Sequence, residues 1–263
     1  MRRTFAEFLL KHLVYPWEAW FILREARRPP STAVLVRAPR KVLFRANGRV
    51  WTLLVRPGSS DVATIHEIFF RGIYKFPDAF TPRRIFDIGA NVGYATMDFS
   101  MRFPAAQIAS FEPVQENFRQ LEAHVLANTL TAACFPFGLG SKEKDVELFS
   151  EGTAGMTGSS SMLRPVMPGL SQGKVHIADA LTAWDDLGWE QVDLMKIDCE
   201  GAEEEIIARI APRLHRVERI TGELHANLCD TVATLALLDK THHVTIGDAA
   251  GTEYFHFSAQ KRC

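Results

Sequence analysis

The sequence predicts an α/β protein with a doubly wound, mostly parallel sheet, preceded by a helical segment and a β-hairpin. From Arg84 onward, short apolar runs alternate with helical patterns, which is typical of parallel strands covered by helices on both faces. A glycine-rich loop follows the first of these runs. The chain has 263 residues, 47% hydrophobic and 23% charged. This composition excludes a disordered chain, a collagen-like repeat and a disulfide-rich miniprotein.

The first element is an apolar stretch at residues 5–23 with arginines on both sides. Apolar side chains recur in it at helical spacing before and after Pro16, and Pro29 and Pro30 end the element. Two interpretations are open. The helix packs on the domain or on a second subunit, or its aromatic side chains lie in an anionic membrane interface. Charged residues interrupt the stretch, so we do not expect a membrane-spanning helix. The stretch has no small-residue cleavage site, so we do not expect a signal peptide.

A β-hairpin is expected next. Residues 41–45 and 50–55 are short runs rich in β-branched and apolar side chains, and Asn47-Gly48 lies between them. Asn-Gly between two such runs is the strongest short hairpin signal, because both residues accept the left-handed backbone of a type I′ turn. Residues 34–36 have the same character, and a helix is expected over residues 65–74.

Charge separates the first part of the chain from the rest. Residues 1–84 contain 16 Lys and Arg against 6 Asp and Glu, whereas residues 85–263 contain 14 against 25. We therefore divide the chain into a basic extension, residues 1–80, and a main domain, residues 81–263. The basic part indicates an acidic or lipid-linked acceptor or a bilayer surface as partner. Nucleic acid is not expected, because the basic residues are spread and the sequence has no zinc-finger or RNA-binding signature.

The main domain is predicted to place its ligand beyond the carboxyl ends of the strands, at the topological switch point. The strand at residues 146–149 is expected outside the alternation, and the last two strands are expected to form an antiparallel edge. The predicted strands cover residues 84–88, 107–111, 132–137, 146–149, 174–177, 192–197, 219–224, 243–246 and 254–258, and the predicted helices cover residues 94–102, 115–127, 202–210 and 226–240.

The loop from Gly89 to Gly93 lies between a predicted strand and a predicted helix, and Glu112 lies at the end of the next strand. Glycines let a ligand approach the main chain, and the start of the helix offers free N–H groups. A carboxylate at Glu112 suits the two hydroxyls of an adenosine ribose. The sequence therefore predicts a nucleoside site.

The loop lacks both common phosphate-binding patterns. Asn91 replaces the second glycine of the dinucleotide fingerprint, and no G-x-x-x-x-G-K-[ST] loop occurs in the sequence. Asp87 at the entry of the loop would repel phosphate but suits an ammonium or a sulfonium group. These features favour S-adenosylmethionine as the cofactor and leave a nucleotide-dependent oxidoreductase as an alternative.

Three motifs now carry a family resemblance: FDIGANVGYAT (86–96), SFEPVQENFRQL (110–121) and VDLMKIDCEGAE (192–203). Together with the RPGSSD turn (56–61), they resemble the FkbM-type S-adenosylmethionine-dependent methyltransferases. The resemblance implies a class I methyltransferase fold, which is Rossmann-like. It also implies O-methylation of a hydroxyl in a saccharide, glycolipid or natural product.

The resemblance also implies roles for single residues. Asp87, Gly89, Asn91 and Gly93 would line the methionine part of the cofactor, and Glu112 would bind its ribose. Cys199 departs from the family pattern, in which an aliphatic residue is more usual. The remaining candidate cofactor-binding residues stand at the ends of strands or directly after them: Pro113, Gly138 and Asp198.

Transfer to a hydroxyl needs a base near the acceptor. Lys196 and Asp198 alternate along one strand, and Glu223 and His225 along the next, so their side chains should converge beside the cofactor. We expect Asp198, Glu223 or His225 to be the base or its orienting partner. The alternatives are that His225 caps the following helix and that Lys196 forms a structural ion pair with Asp198 or Glu200.

Two further expectations concern acidic residues. Residues 203–205 are three glutamates that suit the dipole at the first turn of a helix. Asp198, Glu200 and Glu223 could bind Mg²⁺ through oxygen atoms. No cluster of His or Cys supports that site in the sequence, so we predict no metal.

Residues 151–173 are rich in Gly, Ser, Met and Pro and predict a lid over the cofactor and the acceptor. A disordered surface insert is the alternative. For the whole protein, a non-catalytic binding protein on the same fold is a further alternative. The 4 cysteines have no C-x-x-C spacing, which fits a reducing compartment. We expect a cytoplasmic location, with membrane association through residues 1–30.

Overall fold

The computed structural model describes residues 4–27, 38–150, 160–161, 171–249 and 254–262. The helices are α1 (Phe5–His12), α2 (Pro16–Ala26), α3 (Asp61–Ile65), α4 (Tyr94–Arg102), α5 (Gln115–Asn128), α6 (Ala180–Asp186), α7 (Glu203–Ile210) and α8 (Thr231–Asp239). The strands are β1 (Arg40–Ala46), β2 (Arg49–Val55), β3 (Arg84–Ile88), β4 (Gln107–Phe111), β5 (Ala132–Phe135), β6 (Gly138–Gly140), β7 (Lys144–Ser150), β8 (Ser160–Ser161), β9 (Ser171–Asp179), β10 (Val192–Ile197), β11 (Val217–His225), β12 (His242–Ala249) and β13 (Tyr254–Lys261).

The main sheet has seven strands in the order β12-β13-β11-β10-β3-β4-β5. The five strands from β11 to β5 are parallel, and β13 pairs antiparallel with both β11 and β12. The predicted doubly wound, mostly parallel sheet with an antiparallel edge is therefore confirmed. The strand order reverses between β3 and β10, so the crevice beyond their carboxyl ends is the place where such sheets bind ligands.

The extension packs against one face of this sheet. Asn47 and Gly48 have φ angles of 50° and 73° and form the predicted turn between β1 and β2. Phe8, Phe21 and Trp51 are buried in one apolar cluster that also contains Ile85 of β3 and Leu194 of β10. One face of α1 and α2 thus packs on the domain, as the first interpretation of residues 5–23 expects. The division of the chain at residue 80 stays a prediction.

Several predicted elements have different bounds in the structure, and three of these differences have a local cause. The third strand of the main sheet ends at Phe135 because Pro136 has no N–H for the ladder. Helix α8 begins at Thr231 and not at residue 226, because the side chain of Asp230 caps it by accepting a hydrogen bond from the N–H of Ala233. The helix expected over residues 65–74 begins at Asp61, continues as a π-helix over His66–Arg71 and ends at Gly72.

A second sheet pairs β6, β9, β7 and β8 in that order. It contains the strands predicted at residues 146–149 and 174–177, so the former lies outside the strand–helix alternation as expected. The lid predicted at residues 151–173 lies outside the described residues except for 160–161 and 171–173, and so does the run at residues 34–36. Within the part that the structure describes, every helix is too short or too polar to cross a bilayer.

Candidate active site

Two cavities meet at the carboxyl ends of β3 and β10. The smaller one, of about 90 Å³, contains Glu112 and is called here the Glu112 cavity. The larger one, of about 390 Å³, contains His225 and is called the His225 cavity. Pro113 and Gly138 line the first, and Glu67, Lys196 and Glu223 line the second. Both cavities are lined by Gly89, Asn91, Asp198 and Glu200.

The loop after β3 requires glycine at two positions. Gly89 has a φ of 75°, and a Cβ atom there would lie 1.8 Å from the carbonyl oxygen of Asp198. Gly93 has a φ of 92°, and its Cβ atom would lie 2.7 Å from Cδ1 of Leu121. Gly89 therefore lets the two walls of the crevice approach each other, while Gly93 lets the loop pack on α5. Among the described residues, Gly93 is not part of either cavity lining.

Glu112 is held in place by the main chain. The N–H of Asn91 donates to its Oε2 and the N–H of Val114 to its Oε1, both at 2.8 Å. The residue is only 5% exposed. Burial raises the pKa of Glu112 to about 7, although these N–H groups stabilise the carboxylate. The side chain of Asn117 also hydrogen-bonds to this carboxylate, and both residues line the Glu112 cavity.

Asp87 lies beneath the crevice and does not line either cavity. It is fully buried, accepts a hydrogen bond of 2.6 Å from Thr96 and pairs with Nζ of Lys196 at 3.3 Å. Lys196 in turn donates to the carbonyl oxygen of Gly89 at 2.5 Å. Burial opposes the charge of Lys196, but Asp87 outweighs it and raises the pKa of the lysine. The structure thus places this pair under the loop as an ion pair that positions Gly89. Of the two partners that the ion-pair alternative names for Lys196, Asp198 lies 3.8 Å from its Nζ, so Asp87 is nearer than this predicted partner.

His225 is enclosed by carboxylates. Its Nδ1 donates to Oε1 of Glu203 at 3.0 Å, and its Nε2 lies 3.2 Å from Oε2 of Glu200 and 3.9 Å from Oε2 of Glu223. Burial lowers the pKa of His225, but the hydrogen bond to Glu203 and the charge of Glu200 outweigh it and raise the pKa to about 9. At neutral pH the side chain is therefore an imidazolium in the wall of the cavity.

Glu203 differs from its expected role. It does open α7, but its side chain is fully buried. It accepts hydrogen bonds from the N–H groups of Cys199 and Gly201 and from His225. These partners lower the pKa of Glu203 although burial would raise it. The residue therefore orients His225 and closes the turn after β10. The position of Glu203 at the start of a helix could have indicated this role, because acidic side chains there reach back to free N–H groups.

Two further carboxylates face the same space. Burial, and then the charge of Asp198, raise the pKa of Glu223 well above its usual range. Glu67 lines the cavity from the π-helix, and burial raises its pKa as well. Sequence reasoning missed Glu67, because a single-turn π-helix leaves no periodic signal, although such turns are frequent at functional sites.

The cluster also has the composition of a cation site. One ligand atom from each of Asp198, Glu200 and His225 lies within 4.8 Å of the others. The set of possible Mg²⁺ ligands that was expected from the sequence had Glu223 in place of His225. These oxygen and nitrogen donors suit a divalent cation. The Nε2 atom of His225 is already paired with Glu200, however, and a protonated imidazole cannot coordinate a metal. The absence of a metal stays a prediction.

Fold and site together define a methyltransferase: a doubly wound sheet, a glycine loop after the first parallel strand and a buried acid after the second. The methyltransferase FkbM domain model matches residues 87–244. The match covers more than half of the chain, so the chain belongs to this family.

The chain is also similar to individual known proteins. It is 27% identical over 197 residues to the AMB antimetabolite synthetase AmbE of Pseudomonas aeruginosa. The aligned region covers 61% of this chain but only 9% of AmbE. A methyltransferase FkbM from Methylobacillus flagellatus shares 14% identity with a TM-score of 0.47, over 73% of this chain and 46% of that one. The N-terminal domain of EvdMO1, solved with SAH and D-fucose, shares 14% identity with a TM-score of 0.46, over 92% and 96%.

Proposed function

We propose that this protein transfers the methyl group of S-adenosylmethionine to a hydroxyl of a saccharide, glycolipid or natural product. The observation that carries the proposal is the meeting of two cavities at Gly89, Asn91, Asp198 and Glu200. One cavity offers a buried carboxylate for a nucleoside, and the other offers charged groups for a hydroxyl acceptor. A displacement reaction needs its two reactants held together in this way.

The residues present fit the proposed cofactor. Glu112 can accept hydrogen bonds from both ribose hydroxyls. Oδ1 of Asn91 is buried and accepts no hydrogen bond from the described residues, and it lies where the cavities meet. An ammonium group is a suitable donor for this oxygen. Gly138 keeps the Glu112 cavity open, because a Cβ atom there would lie 2.7 Å from Cδ1 of Ile177 and 3.4 Å from Pro113.

Asp198 and His225 have different roles in the proposed methyl transfer. When bound, the cofactor supplies an electrophilic methyl group on a good leaving group. Asp198 is the base that we assign, because it lines both cavities and the imidazole of His225 is already protonated at neutral pH. Asp198 lines both cavities, so an acceptor hydroxyl beside it can lose its proton as the new bond forms. His225 supplies a positive charge that holds Glu200 and Glu203 in place.

A labelled methyl group tests the proposal directly. The full chain is incubated with methyl-labelled S-adenosylmethionine and panels of saccharides, glycolipids and hydroxylated natural products, with and without EDTA. Binding of S-adenosylhomocysteine is measured by calorimetry on the same protein. We expect binding, and label transfer that EDTA does not abolish. Absence of heat at millimolar ligand would contradict the cofactor assignment, whereas binding without transfer to any panel would favour a non-catalytic binding protein.

Asp198→Asn separates chemistry from binding. The variant should lower turnover by about 10²–10⁴-fold, which is the usual contribution of a general base. It should keep the affinity for S-adenosylhomocysteine within a few-fold, because the amide has nearly the same shape. Asp145→Asn is the matched control, since the Asp145 side chain is 70% exposed on the second sheet. Equal turnover in the two variants would remove Asp198 as the base.

A further inference from the structure

The first two helices expose an unusual group of side chains. Eight large apolar residues are exposed in the described part of the chain, and half of them lie between residues 10 and 20. Leu10, Trp17 and Trp20 are 59% to 64% exposed, and Tyr15 is 47% exposed. Soluble proteins rarely leave large aromatic side chains in water unless the surface has a partner.

Basic side chains continue the same surface. Trp17, Trp20, Arg24 and Arg27 follow each other at helical spacing on the outer side of α2 and at its C-terminal end. The guanidinium carbon of Arg24 lies 4.9 Å from the ring centroid of Trp20, and the ring of Tyr15 stacks on that of Trp17. We call the surface formed by Leu10, Tyr15, Trp17, Trp20, Arg24 and Arg27 the aromatic-basic face.

The acidic residues of α2 are buried beneath this face. Glu18 accepts hydrogen bonds from the N–H groups of Leu43 and Tyr15. Glu25 accepts one from the N–H of Gly58 and pairs with Arg24 at 3.1 Å. Helix α2 therefore uses its negative charges to attach itself to the hairpin and the turn after it and to hold Arg24. The side chain of Arg24 is 38% exposed and Arg27 is exposed, so the charge that this end of α2 shows to solvent is positive.

We propose that the aromatic-basic face docks on an anionic phospholipid bilayer. Trp and Tyr rings partition into the interface between headgroups and acyl chains, and neighbouring arginines are attracted to anionic headgroups. Basic residues on the adjoining hairpin, Lys41 and Arg45 among them, are exposed and extend the positive surface. A bilayer fits this face because exposed aromatic rings stand beside positive charge, which is the combination that an anionic membrane interface attracts.

The proposal is independent of methyl transfer, because vesicle binding is measured without cofactor or acceptor. The full chain is sedimented with phosphatidylcholine vesicles that contain or lack phosphatidylglycerol, and tryptophan emission is recorded on the same samples. We expect pelleting and a blue shift with the anionic vesicles only, and weaker pelleting at high salt. Pelleting that is absent, or equal on both vesicle types, would overturn the proposal.

Substitutions locate the binding surface. The double variant Trp17→Ser/Trp20→Ser should bind at least about tenfold more weakly, and so should Arg24→Gln/Arg27→Gln. Leu126→Ser is the matched control, because Leu126 is 83% exposed on α5, and it should bind like the wild type. Circular dichroism confirms that each variant is folded. Unchanged binding of the tryptophan variant would refute the assignment. A dimer in ultracentrifugation that this variant abolishes, without vesicle binding by the wild type, would assign the face to a second copy of the chain.

Discussion

Two buried histidines in this protein have opposite charge states. His124 of α5 is fully buried, and its partners belong to the main chain: the N–H of Leu54 donates to Nε2, and Nδ1 donates to the carbonyl oxygen of Val92, both at 2.7 Å. Burial lowers the pKa of His124 to about 4. His225 is 6% exposed, and its pKa is raised to about 9.

The two histidines have different pKa values because their hydrogen-bonding partners differ, whereas both side chains are buried. Burial disfavours the charged form of both side chains. A main-chain donor and a main-chain acceptor fit one neutral tautomer of His124. The hydrogen bond to Val92 and the charge of Asp61 raise its pKa, but burial outweighs them. Carboxylates around His225 offset the cost of burial. The neutral histidine therefore ties the hairpin to the loop after β3, whereas the charged one belongs to the chemistry of the cavity.

The region around His124 also contains an ion pair with a structural role. Arg56 pairs with Asp61 at 2.6 Å, and both side chains are buried. Arg56 also donates to Asn117 of α5 at 2.9 Å. This pair closes the turn after the hairpin and fastens it to α5. Removing one partner of such a pair is costly, because the other charge stays buried.

The largest expected effect is a loss of activity, which we expect for a substitution at His225 but not for one at His124. His225→Gln removes the cation that holds Glu200 and Glu203 in place, so the carboxylates that surround the acceptor lose their arrangement. We expect kcat to fall by about 10²-fold, which is the usual cost of misplacing reacting groups by about 1 Å, with the affinity for S-adenosylhomocysteine little changed. Steady-state kinetics and calorimetry measure the two quantities. A kcat within threefold of the wild type would place His225 outside the chemistry.

The second effect concerns stability. His124→Ala leaves the N–H of Leu54 and the carbonyl of Val92 without their partner and creates a cavity. The free energy of unfolding should fall by about 2–4 kcal/mol, while kcat per folded molecule stays within a few-fold. Denaturant titration gives the first value, and kinetics at low temperature the second. A variant as stable as the wild type would show that the hairpin does not depend on this contact.

The third effect is the pH dependence of stability. The pKa of His124 is lower in the folded state than in the unfolded chain, so its contribution is present above pH 6.5 and is lost as pH falls toward 4. Between pH 7.5 and pH 5 the wild type should lose about 2 kcal/mol more than His124→Gln. The pKa of His225 is raised, so its contribution is lost as pH rises toward 9. A difference between wild type and His225→Gln that developed only below pH 6.5 would contradict this assignment.

The smallest expected effect is on ligand binding, and it tests the glycine loop after β3 through its contact with Glu112. Asn91 donates to Glu112, whose pKa is about 7. If the carboxylate binds the ribose hydroxyls, lowering the pH from 7 to 6 should weaken the binding of S-adenosylhomocysteine about fivefold. Glu112→Gln should bind more weakly at pH 7 and lose this pH dependence. Calorimetry at several pH values measures both, and a flat profile for the wild type would argue against the ribose contact.

Much of this architecture was predictable because its signals are local. Strand periodicity, Asn47-Gly48 and the glycine loop each act within a few residues, and the sheet, the hairpin and the loop follow from them. The family resemblance of the three motifs is confirmed as well. The same local reasoning placed Glu112 and Asp198 at strand ends, which is where the structure has them.

The partners of the site were not predictable, because they depend on contacts between distant segments. Glu203 and His225 are 22 residues apart and meet only after β10 and β11 pair. His124 and Leu54 are 70 residues apart. Asp87 was not predictable as the partner of Lys196, because only the pairing of β3 with β10 brings the two side chains together.

The apolar cluster that joins the helices and the hairpin to β3 and β10 has a practical consequence for protein engineering. A shortened chain that began at residue 81 would retain almost all of the family motifs. It would also uncover Ile85, Leu194 and their neighbours on one side of the sheet. An exposed apolar area of this kind leads to aggregation. Expression trials should therefore keep the first two helices and the hairpin, whatever the fate of the membrane proposal.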